Sequence, residues 1–159
     1  GAGTVIATAG PAKLGFVKEL GADAAVDHTQ PGWAEQVRAA APGGVDVALE
    51  AVGGETLDRV IDLLAPGGRV VVFGASAGQL GDIAVRSLFR LKSATGFSLL
   101  AWRAADPGPV RAAIAQLTGL FQAGGLRAAT ETRLPVTEAA RAHQLLEDRA
   151  VLGRILLLP

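Results

Sequence analysis

Short apolar runs closed by glycine alternate along this chain with stretches whose apolar residues recur every three or four positions. The clearest passage is VDVALEAVGGETLDRVIDLLAPGGRVVVFGAS, from Val45 to Ser76. Val45–Glu50 reads as a strand. Glu55–Leu64 places Leu57, Val60, Ile61 and Leu64 on one face of a helix, and Arg69–Phe73 is the strongest strand-like run in the chain. Pro42–Gly44 and Pro66–Gly68 read as the same helix-to-strand turn used twice. Upstream, the pattern predicts a strand at Val5–Ala9 and a helix over Pro11–Leu20, opened by a proline and stopped at Gly21. A weak strand at Ala24–Val26, ending at Asp27, and a helix over Trp33–Ala41 follow.

Downstream, the pattern predicts a short helix at Ile83–Leu91 and a strand at Ala94–Ser98. Asp106 with Pro107 opens a longer helix, where Val110, Ile114, Leu117 and Phe121 line one side and Gly124–Gly125 ends it. The tail reads as strand (Ala128–Leu134), helix (Thr137–Asp148) and strand (Arg154–Leu158), with a change of rhythm after about Gly125.

Alternation at this spacing predicts an α/β fold, a doubly wound parallel sheet with helices on both faces. Ligands of such sheets bind beyond the carboxyl ends of the strands. Val52–Gly53–Gly54 and Gly74–Ala75–Ser76 both lie just past strand ends. If the two strands are neighbours, both turns line one rim. Backbone without side chains there lets a flat ring pack closely and hydrogen-bond to N–H and C=O groups.

Composition narrows the function classes. A chain of 159 residues, half of them hydrophobic and 19% charged, fits one folded domain and excludes disorder. Aromatic residues are only 4%, so Val, Leu, Ile and Ala must build the core. Fifteen basic residues balance fifteen acidic ones, which is poor material for binding nucleic acid or an anionic membrane. The absence of cysteine excludes disulfides and thiolate metal sites within these residues. With no stretch of membrane-spanning length and no signal-peptide pattern, the expectation is a soluble, cytoplasmic protein.

Four blocks carry a family resemblance: VIATAGPAKLGFVKELGADAAVD, VDVALEAVGGETLDRVIDLLAPGGRVVVFGASAG, GFSLLAW and AARAHQLLEDRAVLGRILLLP. In this order and spacing they resemble the medium-chain dehydrogenase/reductase superfamily, and within it the zinc-independent, NADPH-dependent quinone oxidoreductase branch. Members of that family carry an N-terminal catalytic domain, then a strand and a glycine-rich turn that cradles the cofactor pyrophosphate. Here the one G-x-G is Gly1–Gly3, ahead of a strand, with Ile6 where a third glycine belongs. The resemblance therefore implies a carboxyl-terminal half that begins at the second strand, an incomplete Rossmann-like sheet without its first strand and glycine-rich turn. Residues 1–125 are expected to form a partial dinucleotide-binding domain. Residues 126–159 are expected to return to a catalytic domain lying outside this sequence, with Arg154–Leu158 pairing there.

The end of the second strand is where NAD-preferring folds place an acidic residue on the adenosine ribose. Here it reads Thr8–Ala9–Gly10, with no carboxylate. Gly10 leaves room for a 2′-phosphate, and Lys13 follows within the first helical turn, so NADP(H) is the expected cofactor. His28, after Asp27 at the end of the third strand, is a further candidate for the adenine or phosphate. By resemblance, Val52 and Gly53, the turn Phe73, Gly74, Ala75 and Ser76, and the strand end Phe97, Ser98 and Leu99 surround the nicotinamide. His143 reads as structural.

No nucleophile–base pair or metal-ligand cluster assembles from the sequence, so catalytic residues stay unassigned. Hydride transfer tolerates this, because the cofactor carries the chemistry. The expected substrate is a small quinone, enone or similar carbonyl compound. The resemblance also implies a homodimer formed through the Ala94–Ser98 edge strand. Two alternatives remain at this point: a class I methyltransferase-like domain, whose later strands share the strand–helix–PGG–strand passage, or a catalytically inert fragment.

Overall fold

The computed structural model describes residues 3–127 and 131–159. Strand β1 (Ile6–Ala9) leads through a tight turn at Pro11–Lys13 into helix α1 (Leu14–Glu19). Strand β2 (Ala24–Asp27) and helix α2 (Trp33–Ala40) follow, then β3 (Val45–Glu50), α3 (Glu55–Leu63) and β4 (Leu64–Val72). Next come β5 (Ser93–Gly96), α4 (Leu99–Ala105) and the long α5 (Pro107–Gln122). The chain ends with β6 (Glu131–Pro135), α6 (Ala139–Glu147) and β7 (Arg154–Leu158).

Every ladder is parallel, as strand–helix alternation requires. Strand β1 pairs with β2, strands β3, β4 and β5 form a three-stranded sheet in that order, and β6 pairs with β7. Among the described residues, β1 is laddered only to β2 and β3 only to β4. The core is mainly aliphatic. Leu57 and Ile61 of α3 close on Leu64 and Val70 of β4, with Ala48, Val72 and Ala94 packed alongside. A second cluster joins Val26 of β2 to Trp33, Ala34 and Val37 of α2 and Leu63 of α3. Ile6 of β1 and Val45 of β3 both rest on it, so one helical layer backs two separate ladders. The opposite side of β3 is bare, with Leu49 74% exposed. On α5 only Val110 is buried.

The expected elements shift in three places. Strand β4 begins at Leu64, so Pro66–Gly68 is a bulge inside the strand: Val45 pairs with Leu64, and the ladder resumes at Val47 with Arg69. Gly68 suits the bulge, because a Cβ there would lie 2.7 Å from the Val45 carbonyl oxygen. The expected helix at Ile83–Leu91 is a single 3-10 turn at Val85–Leu88, and Leu91 takes a left-handed φ of 62°. The expected strand Ala94–Ser98 stops at Gly96. The Ser98 hydroxyl accepts from the Ala101 N–H at 3.2 Å and caps α4, a helix the strand reading had hidden. Residues 128–130 of the expected strand Ala128–Leu134 lie outside the described residues.

Candidate functional site

Because β3 and β4 are direct neighbours, their carboxyl ends, Glu50 and Val72, sit side by side. The two glycine turns therefore share one rim. The pairing continues past the strands. Phe73 N–H donates to the Glu50 carbonyl, Ser76 N–H to Ala51 and Ala77 N–H to Val52, each at 2.9 Å. Gly54 N–H donates to the Leu80 carbonyl at 3.3 Å. Gly53, at φ 78°, lies under this returning segment, and a Cβ on it would collide with the Gln79 carbonyl oxygen. The glycine is needed for chain-on-chain contact.

In the turn after β3 much of this backbone is taken up within the chain. The Val52 and Gly53 N–H groups point inward and donate to Glu50 Oε1, at 2.7 and 2.9 Å. The Ala51 and Val52 carbonyls face residues 76 and 77. The rim presents apolar side chains outward, since Val52 and Phe73 are both exposed, with Ser76 exposed beside them. Beside them, Phe97 N–H donates to the Val72 carbonyl at 2.8 Å, extending the β4–β5 ladder. The Phe97 ring tilts against Trp102 with centroids 5.9 Å apart. Leu99 is the first residue of α4 and is exposed.

At the end of β1, Gly10 has φ −68° and ψ 159°, and a Cβ there would meet nothing within 4 Å. That space is open, and no carboxylate ends the strand. Lys13 is half-buried, and its Nζ donates to the Val151 carbonyl at 3.0 Å. His28 is exposed, with its N–H on the Ala9 carbonyl at 3.3 Å. The neighbouring Asp27 carboxylate is used locally, accepting from the Thr29 hydroxyl (2.7 Å), the Thr29 N–H (2.9 Å) and Gln30 (3.3 Å). The Thr29 hydroxyl first, then its N–H, hold this carboxyl below the ordinary aspartate range.

Sequence reasoning missed two members of the rim. Glu50 is the one buried charged side chain among the described residues. Its signal was a carboxylate at a strand end, three residues before Gly53. Arg149 lies just past α6, with a left-handed φ of 53° at a position where glycine is usual. Its guanidinium donates to the Ser76 carbonyl at 3.4 Å. The 149–151 segment is thus tied at one end to the turn after β4 and at the other to Lys13 after β1. Among the described residues no His, Cys, Asp and Glu cluster suits a metal ion, and no helix is long and apolar enough to cross a membrane.

Parallel ladders whose glycine turns and cationic side chains lie beyond the strand carboxyl ends define a Rossmann-like α/β protein. Residues 20–157 match the profile of the zinc-binding dehydrogenase family, and the chain belongs to that family. That family lies within the medium-chain dehydrogenase/reductases, and proteins named quinone oxidoreductase are among the relatives the chain matches. It is 33% identical over 96% of its length to 7% of a spectinabilin polyketide synthase system protein from Streptomyces orinoci. It is 29% identical over 94% of its length to 46% of a quinone oxidoreductase from Pseudomonas aeruginosa. Among solved structures, a mycobacterial protein in complex with NADPH superposes with a TM-score of 0.86 at 29% identity, over 98% of this chain and 49% of that one. An NAD-dependent alcohol dehydrogenase superposes with a TM-score of 0.81 at 31% identity, over 98% and 44%. The chain spans under half the length of each of these relatives. Family membership sets the methyltransferase alternative aside.

The rim suits a nicotinamide nucleotide. It has apolar side chains facing out, open space at Gly10, and two cationic side chains at the ends of β1 and β4.

Proposed function

We propose that this chain is the cofactor-binding part of an NADPH-dependent oxidoreductase that reduces a quinone, enone or similar carbonyl compound. The observation that carries the reading is the side-by-side placement of the two turns after β3 and β4, zipped by the Ser76 and Ala77 N–H groups. When bound, the nicotinamide supplies the hydride. Val52, Gly53, Phe73–Ser76 and Phe97–Leu99 form the wall against which the ring is oriented. Gly10 leaves space for the adenosine ribose, and Lys13 and His28 meet its 2′-phosphate. One Lys13 N–H is taken by Val151, and an ammonium has two more to give.

The test is Lys13→Glu in the intact protein, with NADPH and NADH titrated separately. Loss of a charge-assisted contact predicts NADPH weakened by about 1.5–3 kcal/mol more than NADH. Loss of the Val151 tether alone would weaken both cofactors equally, and that result would count against the assignment.

The same reading extends to assembly. Strand β5 is the edge of its sheet, and edges of this kind need cover or a partner. We propose a two-fold dimer in which β5 pairs with its counterpart. The strand's two-residue repeat decides how to test this. Phe97 N–H points to β4, so Thr95 N–H points the same way, while Gly96 N–H faces outward. A Cβ at Gly96 would meet nothing within 4 Å. Gly96→Pro should therefore give a folded monomer by sedimentation velocity. A dimer of unchanged stability would show that the interface lies elsewhere.

A further inference from the structure

We propose that Glu50 is a positioning residue: its carboxyl group is an internal acceptor that sets the turn after β3 in the shape the cofactor rim needs. The proposal rests on the reading of that rim as a nicotinamide-nucleotide site.

Glu50 is 3% exposed. A buried carboxylate is costly unless it is well hydrogen-bonded, and a well-packed apolar side chain of similar volume is often no less stable in its place. Oε1 takes the successive N–H groups of Val52 and Gly53, at 2.7 and 2.9 Å. Oε2 is equally buried and meets no donor among the described residues. Among the described residues no cation pairs with the group, and the hydrogen bonds it makes all go to the turn. Successive backbone N–H groups form a concave anion seat, and here the chain fills its own seat. With both N–H groups drawn inward, the Ala51 and Val52 carbonyls face the Ser76 and Ala77 N–H groups, and the Val52 side chain faces out. One carboxyl group thereby orients both turns of the rim.

Three substitutions separate this role from core filling. Glu50→Gln keeps an acceptor in place, Glu50→Asp withdraws it by one methylene, and Glu50→Leu fills the space without one. Each is made in the intact protein. NADPH affinity is read by titration, stability by thermal melting, and the hydrogen bonds by exchange of the Val52 and Gly53 amides. Glu50→Gln is expected to bind NADPH within about threefold of the parent, whereas Glu50→Asp and Glu50→Leu lose tenfold or more. Exchange at the two amides should rise in step with that loss, while Glu50→Leu melts no lower than Glu50→Gln. If Glu50→Leu fails to fold, Glu50→Asp decides.

Parent-like affinity in both Glu50→Asp and Glu50→Leu would overturn the proposal, as would equal losses in all three variants. If the parent binds neither NADPH nor NADH, the cofactor reading fails instead. In that case unchanged exchange at Val52 and Gly53 in Glu50→Leu would separately refute the hold on the turn.

Discussion

Replacing Gly53 with alanine is expected to destabilise the intact protein by about 2–5 kcal/mol and to remove nicotinamide-nucleotide binding with it. Two costs combine. A left-handed backbone at φ 78° costs a non-glycine residue about 1–2 kcal/mol. The added methyl also meets the Gln79 carbonyl oxygen, which is main chain and cannot swing aside, and relieving such overpacking costs about 1–3 kcal/mol more. The damage would spread, because the same returning segment carries Ser76 and Ala77, whose N–H groups zip the two turns. Gly10→Ala is the control. With φ −68° and nothing within 4 Å of its Cβ, it should stay within about 0.5 kcal/mol of the parent. Urea unfolding of both variants checks the pair, and a Gly53→Ala loss below 1 kcal/mol would mean that the 79–80 segment yields easily.

The second large effect belongs to the facing edges of β1 and β3. One helical layer backs both strands, through Ile6 and Val45, yet no ladder joins them. Strands share backbone hydrogen bonds only when about 4.8 Å apart, and these two edges are not paired with each other. Each edge donor or acceptor left dry and unpaired costs about 1–3 kcal/mol, against a net stability of about 5–15 kcal/mol for a whole domain. Expressed alone, these 159 residues should therefore rearrange, swap strands or associate, while in a longer polypeptide that supplies a strand they should remain laddered. Sedimentation velocity with hydrogen exchange at β1 and β3 tests this. A stable monomer in which both edges stay unpaired would show that they tolerate exposure.

Much of the fold was legible because local physics writes it twice. In Glu55–Leu63, Leu57 and Ile61 repeat at helical spacing and are also the residues that reach the core. The alternation of such helices with short β-rich runs required parallel ladders, and all the ladders are parallel. Where the text failed, a tertiary contact had overruled a local preference. Pro66–Gly68 looked like a stop, but Val45 pairs with Leu64 ahead of it and the strand runs through as a bulge. Ala94–Ser98 read as one strand, but the pairing stops at Gly96, and Ser98 was the visible signal of the helix it caps.

The sequence by itself determined the fold class and the family, and it put both glycine turns just past strand ends, since each depends on residue types a few positions apart. It also determined that no acidic residue ends β1. Only the tertiary structure decided what those turns do with their backbone. Glu50 bends back to draw in the Val52 and Gly53 N–H groups, and Gln79 closes over Gly53. Lys13 meets Val151 across 138 residues, and Arg149 meets Ser76 across 73. Such contacts have no period and no spacing rule. They arise when parallel strands bring distant chain segments to one rim, where unpaired backbone groups take whichever partner the fold delivers.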